Sequence, residues 1–325
     1  MSDNIFFKII IPNESVTVSH YEEWLDSLVW FKPEKMWSSK IIGTEEMEYN
    51  KTILLNKAKK RFNVIDFFNV SIESEGNDFV VRKGRFHSFV QGHINKSNIE
   101  KYTILYIVQQ IENAFLKYNG IVSFVCSAED QFWQNNRDIN QYERLGKSIE
   151  NIAIKPDPIY KKEYIVDVEQ LPGHSHYTND LWFGSCWKMW FSKRYYQYIP
   201  KKILLNCNGC YEKTELPEDS LRITLYSSIW DYELADSRNI QWSFRKQTGM
   251  DDIVQWLNDE DNMTQNPENA SIEIFSDKCS HGGVRLVMYY FDEKRNIVSK
   301  NRAKVCYAYE VDDKGNIVWE NISKM

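Results

Sequence analysis

Residues 181–191 hold Trp182, Phe183, Trp187, Trp190 and Phe191 within one short stretch. Side chains alternate across an extended strand, so Trp182 and Trp190 share one face and Trp187 takes the other. At least one of these faces must be covered by another layer, because a strand cannot leave large rings on both sides in water. The stretch is too short to cross a bilayer. The chain therefore needs a substantial core of its own, and 325 residues provide for one. At about 150 residues per domain the length predicts roughly two domains.

The rest of the chain reads as strands in runs with helices between them. Residues 5–11 form an apolar run interrupted by Lys8 and stopped by Pro12, which is a strand and not a secretory signal. Trp24, Leu25, Leu28 and Val29 fall at helical spacing, and residues 63–94 carry the β-branched and aromatic pattern of an antiparallel meander. Ser97 and Glu100 have the spacing of a capping box. They open a predicted helix with Ile99, Tyr102, Leu105, Ile111 and Phe115 on one face and Gly120 at its end. A second helical stretch, residues 239–256, is divided at Gly249. Strands are predicted at 272–275, 284–291, 305–311 and 317–319, with turns near Asp292 and Asp312. Few strand–helix–strand alternations occur, so the predicted class is α+β, in two domains that each pack a mainly antiparallel sheet with helices. The polar, proline-containing segment 135–160 is the predicted connection, dividing residues 1–157 from 158–325.

Composition narrows the function classes. The net charge of −6 and the absence of a long basic stripe disfavour a general nucleic-acid surface. No uncharged apolar run reaches the length of a membrane span. Six scattered cysteines do not make a disulfide framework, so the expected compartment is the cytoplasm.

The densest chemistry lies between Asp167 and Cys186. His174 and His176, two apart, can share a strand face and one metal, with Asp167 or Asp180 completing the shell and Glu169 activating a water. A turn at Pro172 and Gly173, with both histidines held by hydrogen bonds, fits the same residues. Cys186 is a candidate thiol nucleophile beside His174 and Asp180, although its tryptophan neighbours equally describe an inert core thiol. Cys207 and Cys210, with Cys279 and His281, have the spacings of two arms of a zinc site, but a second matching knuckle is missing. The expectation is no cofactor, with zinc as the alternative. Trp182, Trp190, Tyr195 and Tyr198 are candidate binding residues. Trp187 is expected in the core, and at least one of Trp182 and Trp190 is expected to be partly exposed.

Residues 174–177, 182–191, 194–205 and 240–249 together resemble a family of uncharacterised soluble bacterial proteins associated with immunity and antitoxin functions. The resemblance carries no catalytic residues. It implies a cytoplasmic protein that binds another protein, such as a toxin encoded by an adjacent gene, and masks it. The alternative expectation is a hydrolase with a metal or thiol site in residues 167–186.

Overall fold

The structure, a computed structural model, describes residues 4–27, 32–38, 43–61, 68–74, 76–84, 86–160, 162–258, 271–276, 278–294, 297–313 and 316–325. Leu28 and Val29 of the predicted first helix, and residues 63–67 of the predicted meander, lie outside these residues. In chain order the first elements are β1 (Ile5–Pro12), α1 (Val18–Ser27), β2 (Lys35–Ser38), β3 (Gly43–Glu48), α2 (Lys51–Arg61), β4 (Phe68–Ser74), β5 (Asn77–Lys83), β6 (His87–Ile94), α3 (Lys96–Tyr102), α4 (Ile104–Lys117), β7 (Val122–Ser127), α5 (Ala128–Trp133) and α6 (Ile139–Arg144). Then follow β8 (Ile154–Pro156), β9 (Tyr164–Val166), β10 (Ser175–Thr178), β11 (Leu181–Gly184), β12 (Lys188–Phe191), α7 (Lys201–Asn206), β13 (Glu212–Leu216) and β14 (Ser220–Thr224). The last are α8 (Ala235–Thr248), α9 (Met250–Asn258), β15 (Ile272–Phe275), β16 (Arg285–Phe291), β17 (Val305–Val311) and β18 (Ile317–Lys324).

Among the described residues, ten strands form one sheet in the order β13-β14-β12-β7-β1-β6-β5-β4-β2-β3, and its pairings are antiparallel. The apolar run of β1 lies between β6 and β7 and is buried along its whole length. β6 instead alternates buried and half-buried positions, as a strand covered on one face should. A second sheet has the order β15-β16-β17-β18, and the class is α+β. Its Ile272, Ile274, Val287, Tyr289, Tyr307 and Tyr309 join the main core.

Three sequence expectations change. β12, β13 and β14 follow residue 157 in the chain yet extend the sheet that begins with β1, and residue 157 falls inside the β8–β9 hairpin. The division after 157 therefore separates no two sheets. The single helix from Ser97 becomes two, because Thr103 takes φ 62° and caps α4 by accepting from the Tyr106 amide at 3.3 Å. The cap of α3 is Asn95, which accepts from the Asn98 amide at 3.1 Å, and not Ser97. By contrast, α8 does end at Gly249, whose φ of +67° is the left-handed C-cap that glycine adopts without a Cβ penalty.

The third change concerns the aromatic run. It is two strands, β11 and β12, separated by Ser185, Cys186 and Trp187, so a parity counted through the run loses its meaning. β11 pairs with β10, whereas β12 enters the large sheet between β7 and β14. Trp182 and Trp190 are both buried, at 1% and 0% exposure, which overturns the expected partly exposed ring. Trp187 is in the core as expected, and its Nε1 donates to the Tyr226 carbonyl at 2.9 Å.

Candidate functional site

β10 and β11 form a hairpin whose turn residues, Asn179 and Asp180, both have positive φ, 53° and 62°. That pair of left-handed residues is the turn that matches the twist of a two-residue hairpin. The Asp180 carboxylate accepts from the Phe86 amide at 2.9 Å and the His87 amide at 3.3 Å, and so locks the hairpin to the chain before β6. His174 precedes β10 and His176 lies in it; their rings meet edge to face with centroids 4.5 Å apart.

Each histidine has a fixed partner. Asn135 Oδ1 accepts from the Ser175 amide at 2.9 Å, which identifies that atom as oxygen, and the His174 Nδ1–H donates to it at 3.0 Å. Burial, with His176 and Arg245 nearby, pushes the His174 imidazole from 6.5 down to about 3, so this ring is neutral at physiological pH. His176 Nε2 donates to Asp251 Oδ1 at 3.1 Å. Arg245, 1% exposed, donates to the same oxygen from Nε at 3.2 Å and Nη2 at 2.8 Å. Burial alone would raise the Asp251 carboxyl; the His176 bond and the Arg245 charge outweigh it and hold the group below its usual range. Arg245 also donates to the Leu171 carbonyl from Nη1 at 2.6 Å and to the Glu169 carbonyl from Nη2 at 3.4 Å. A neighbouring buried cluster joins Asp130 to Arg238 at 2.6 Å and to Gln241 at 3.4 Å.

The other candidate groups are held elsewhere. Lys155 pairs with Asp167 at 2.8 Å and Glu169 at 3.2 Å, so neither carboxylate completes a shell around the histidines. Cys186 is buried with its Sγ against the carbonyls of Val125 and Lys188, both at 3.7 Å. Cys207 is buried beyond α7, Cys210 is half-buried beside it, and Cys279 lies near the second sheet. His281 stacks on Trp319 at 4.1 Å and donates to Glu310 Oε1 at 3.0 Å. Among the described residues no group of three or more His, Cys, Asp or Glu side chains is arranged to hold a metal.

The four aromatic binding candidates line no surface. Trp182 stacks on Phe124 at 4.4 Å, and Trp190 Nε1 donates to Glu112 Oε2 at 2.8 Å. The Tyr195 hydroxyl donates to the Trp182 carbonyl at 3.2 Å, and Tyr198 meets the edge of Phe183 at 5.7 Å. They are buried because the hairpin, β12 and the chain after it enclose them from several sides.

Surface chemistry appears where the sequence reads as a connection. β8 and β9 pair as a finger, Ile154 opposite Val166 and Pro156 opposite Tyr164. At its tip Asp157 Oδ1 accepts from the amides of Ile159 at 2.7 Å and Tyr160 at 3.0 Å, and the Glu163 amide donates to the Tyr160 carbonyl at 2.8 Å. This hydrogen-bonded frame presents Ile154, Ile159, Tyr160 and Tyr164 at 48%, 77%, 63% and 59% exposure. Its base is anchored: Val166 and Val168 bury with Tyr142 in a cluster of their own, against Trp133, Ile139, Ile149, Ile152 and Leu171. The sequence signal was there, in large apolar residues around Pro156 and Pro158, but the strands are only three residues long and carry no usable period.

A separate cleft of about 460 Å³ lies between α7 and the β17–β18 hairpin, lined by Tyr196, Lys201, Lys202, Tyr307 and Glu320 among others. Two of its lysines are paired: Lys201 with Asp219 at 2.6 Å, and Lys202 with Glu320 at 2.8 Å while resting on the Tyr307 ring. No described helix is long and apolar enough to cross a membrane.

No family model and no curated protein matches the chain. Among solved structures, it is similar to the type VI secretion protein PA0821 of Pseudomonas aeruginosa, with 11% identity and a TM-score of 0.46 over 75% of this chain and 72% of that one. It is also similar, over 38% of this chain and 87% of the other, to a chain in the complex of the toxic C-terminal tip of CdiA from Pseudomonas aeruginosa with its immune protein, with 14% identity and a TM-score of 0.25.

Proposed function

We propose that this chain acts in the cytoplasm by binding another protein, as an immunity- or antitoxin-type inhibitor of a toxin encoded by an adjacent gene. The observation that supports it is the β8–β9 finger, four exposed large apolar side chains on a hydrogen-bonded frame over a buried base. Exposed apolar groups concentrated this way are characteristic of contact surfaces, and tyrosine is a common anchor at their centre. The net charge of −6 suits a basic partner, which it would steer towards the chain. The experiment is co-expression with the product of each adjacent gene, followed by co-purification at high salt. A stoichiometric complex with one of them supports the reading, and failure to recover any contradicts it.

A second reading, a hydrolase, draws on one observation. The neutral His174 ring sits beside a His176 oriented by Asp251, which is the arrangement of a base with its positioning partner. Turnover of ester, amide or phosphodiester substrates that is lost in His176→Gln would favour it over binding.

A further inference from the structure

β18 is an edge of the four-stranded sheet: it pairs with β17 on one side, and among the described residues no strand pairs with the other. It runs for eight residues, seven of them exposed, with Val318 at 44% and Ile322 at 65% exposure. A long, exposed, unpaired edge is a template for another strand, and here the ladder with β17 shifts register at Val318 and runs regularly from Trp319 to Lys324. The backbone shows which groups are available. The Met325 amide donates inward to the Lys304 carbonyl at 3.0 Å, so by the alternation of an antiparallel ladder the amides of Asn321 and Ser323 also face β17. The N–H and C=O groups of Glu320, Ile322 and Lys324 then face outward.

We propose that this edge pairs antiparallel with β18 of a second copy of the chain, about a two-fold axis at Ile322. Residues of like parity must oppose each other for outward groups to meet, which restricts the axis to a residue and not the space between two. An axis at Asn321 sets Glu320 against Ile322 and Val318 against Lys324; one at Ser323 sets Ile322 against Lys324. Both place a charge on an apolar side chain. An axis at Ile322 sets Ile322 against its own copy, Glu320 against Lys324, Asn321 against Ser323 and Trp319 against Met325, so each pair is matched in chemistry. About six backbone hydrogen bonds form in this register, two from each outward-facing pair. Glu320 already accepts from Lys202 and from the Tyr307 hydroxyl, both at 2.8 Å, and a carboxylate has further lone pairs for the ammonium of Lys324. The contact is isologous and closes on itself, giving a dimer and not a filament. Strand pairing alone is a narrow interface, below the usual ~1,200–2,000 Å², so the dimer is concentration-dependent.

Sedimentation velocity of the full chain over a concentration series tests this. The wild type is expected to move from monomer to dimer mass as concentration rises. Ile322→Pro removes an outward amide that the protomer does not use, and is expected to leave a monomer with an unchanged circular dichroism spectrum. Lys324→Glu sets like charges against Glu320 twice and is expected to raise the dimer dissociation constant roughly tenfold. A wild type that stays monomeric at its solubility limit overturns the proposal. So does a dimer that both variants leave intact, because its contact then lies elsewhere.

Discussion

Arg245 and Asp251 meet at 2.8 Å across the break between α8 and α9, with the guanidinium at 1% exposure. Gly249 makes this geometry possible. Its left-handed conformation ends α8 and lets α9 start at once, turning the Asp251 carboxylate back towards the preceding helix. Through Leu171 and Glu169 the same arginine reaches the base of the finger, and through Asp251 it reaches His176. One buried side chain thus ties the helices, the histidine hairpin and the proposed contact surface together.

Removing that arginine should be costly. Arg245→Met leaves two carbonyls without their donor and Asp251 with His176 alone, and is expected to lower unfolding free energy by about 3–5 kcal/mol in a urea titration. Asp251→Asn keeps a hydrogen-bond acceptor but leaves the buried charge of Arg245 uncompensated, and is expected to cost a comparable amount. If both variants unfold with the wild type, the network contributes nothing to stability.

Glu310 sets an acid limit. Its carboxylate accepts from the amides of Ser280 at 2.7 Å, His281 at 2.9 Å and Gly283 at 3.0 Å. Burial opposes the charge, but these donors and the His281 ring outweigh it and lower the carboxyl from 4.5 to about 2. A folded pKa below the unfolded value gives stability that is fully present above 4.5 and lost as the pH falls towards about 2. Glu310→Gln should therefore be less stable than wild type at neutral pH, and the gap should narrow across that window.

His174 should not titrate in the physiological range. With its folded pKa at about 3, below the ordinary 6.5, it favours the folded state above pH 6.5 and contributes less as acid is added. Proton NMR of its ring is expected to show no chemical-shift change between about pH 5 and 8. A midpoint near 6.5 would mean that the ring is solvated.

The tryptophans separate core from surface. Trp182→Ala and Trp190→Ala are each expected to cost about 3–5 kcal/mol, and Trp187→Ala a comparable amount, since all three are buried. An unfolding curve unchanged in any of them would return that ring to the surface.

Local structure is legible in the sequence where one residue type decides the backbone. Gly249 is a glycine at a left-handed cap, and the regular alternation of β6 follows from one covered face. The break at Thr103 is not legible, because a β-branched residue at φ 62° contradicts its own preference and is held there by its surroundings. The aromatic run hides its two strands, because three residues turn the chain out of one sheet and into another, and hydrophobicity alone does not record a change of partner. The histidine network was visible as residue types and not as geometry. Asn135 is 39 positions from His174, and Asp251 is 75 from His176. The finger resembles a connection in sequence because of its prolines and its three-residue strands.

Isothermal titration against the co-purifying adjacent gene product shows whether the proposed finger surface makes the contact. The comparison is wild type with Ile159→Asp combined with Tyr160→Asp, which changes two of the most exposed apolar side chains and leaves the buried base alone. The double variant is expected to melt with the wild type and to bind at least roughly a hundredfold more weakly, as for the loss of central anchors. Unchanged affinity in a folded double variant would contradict it.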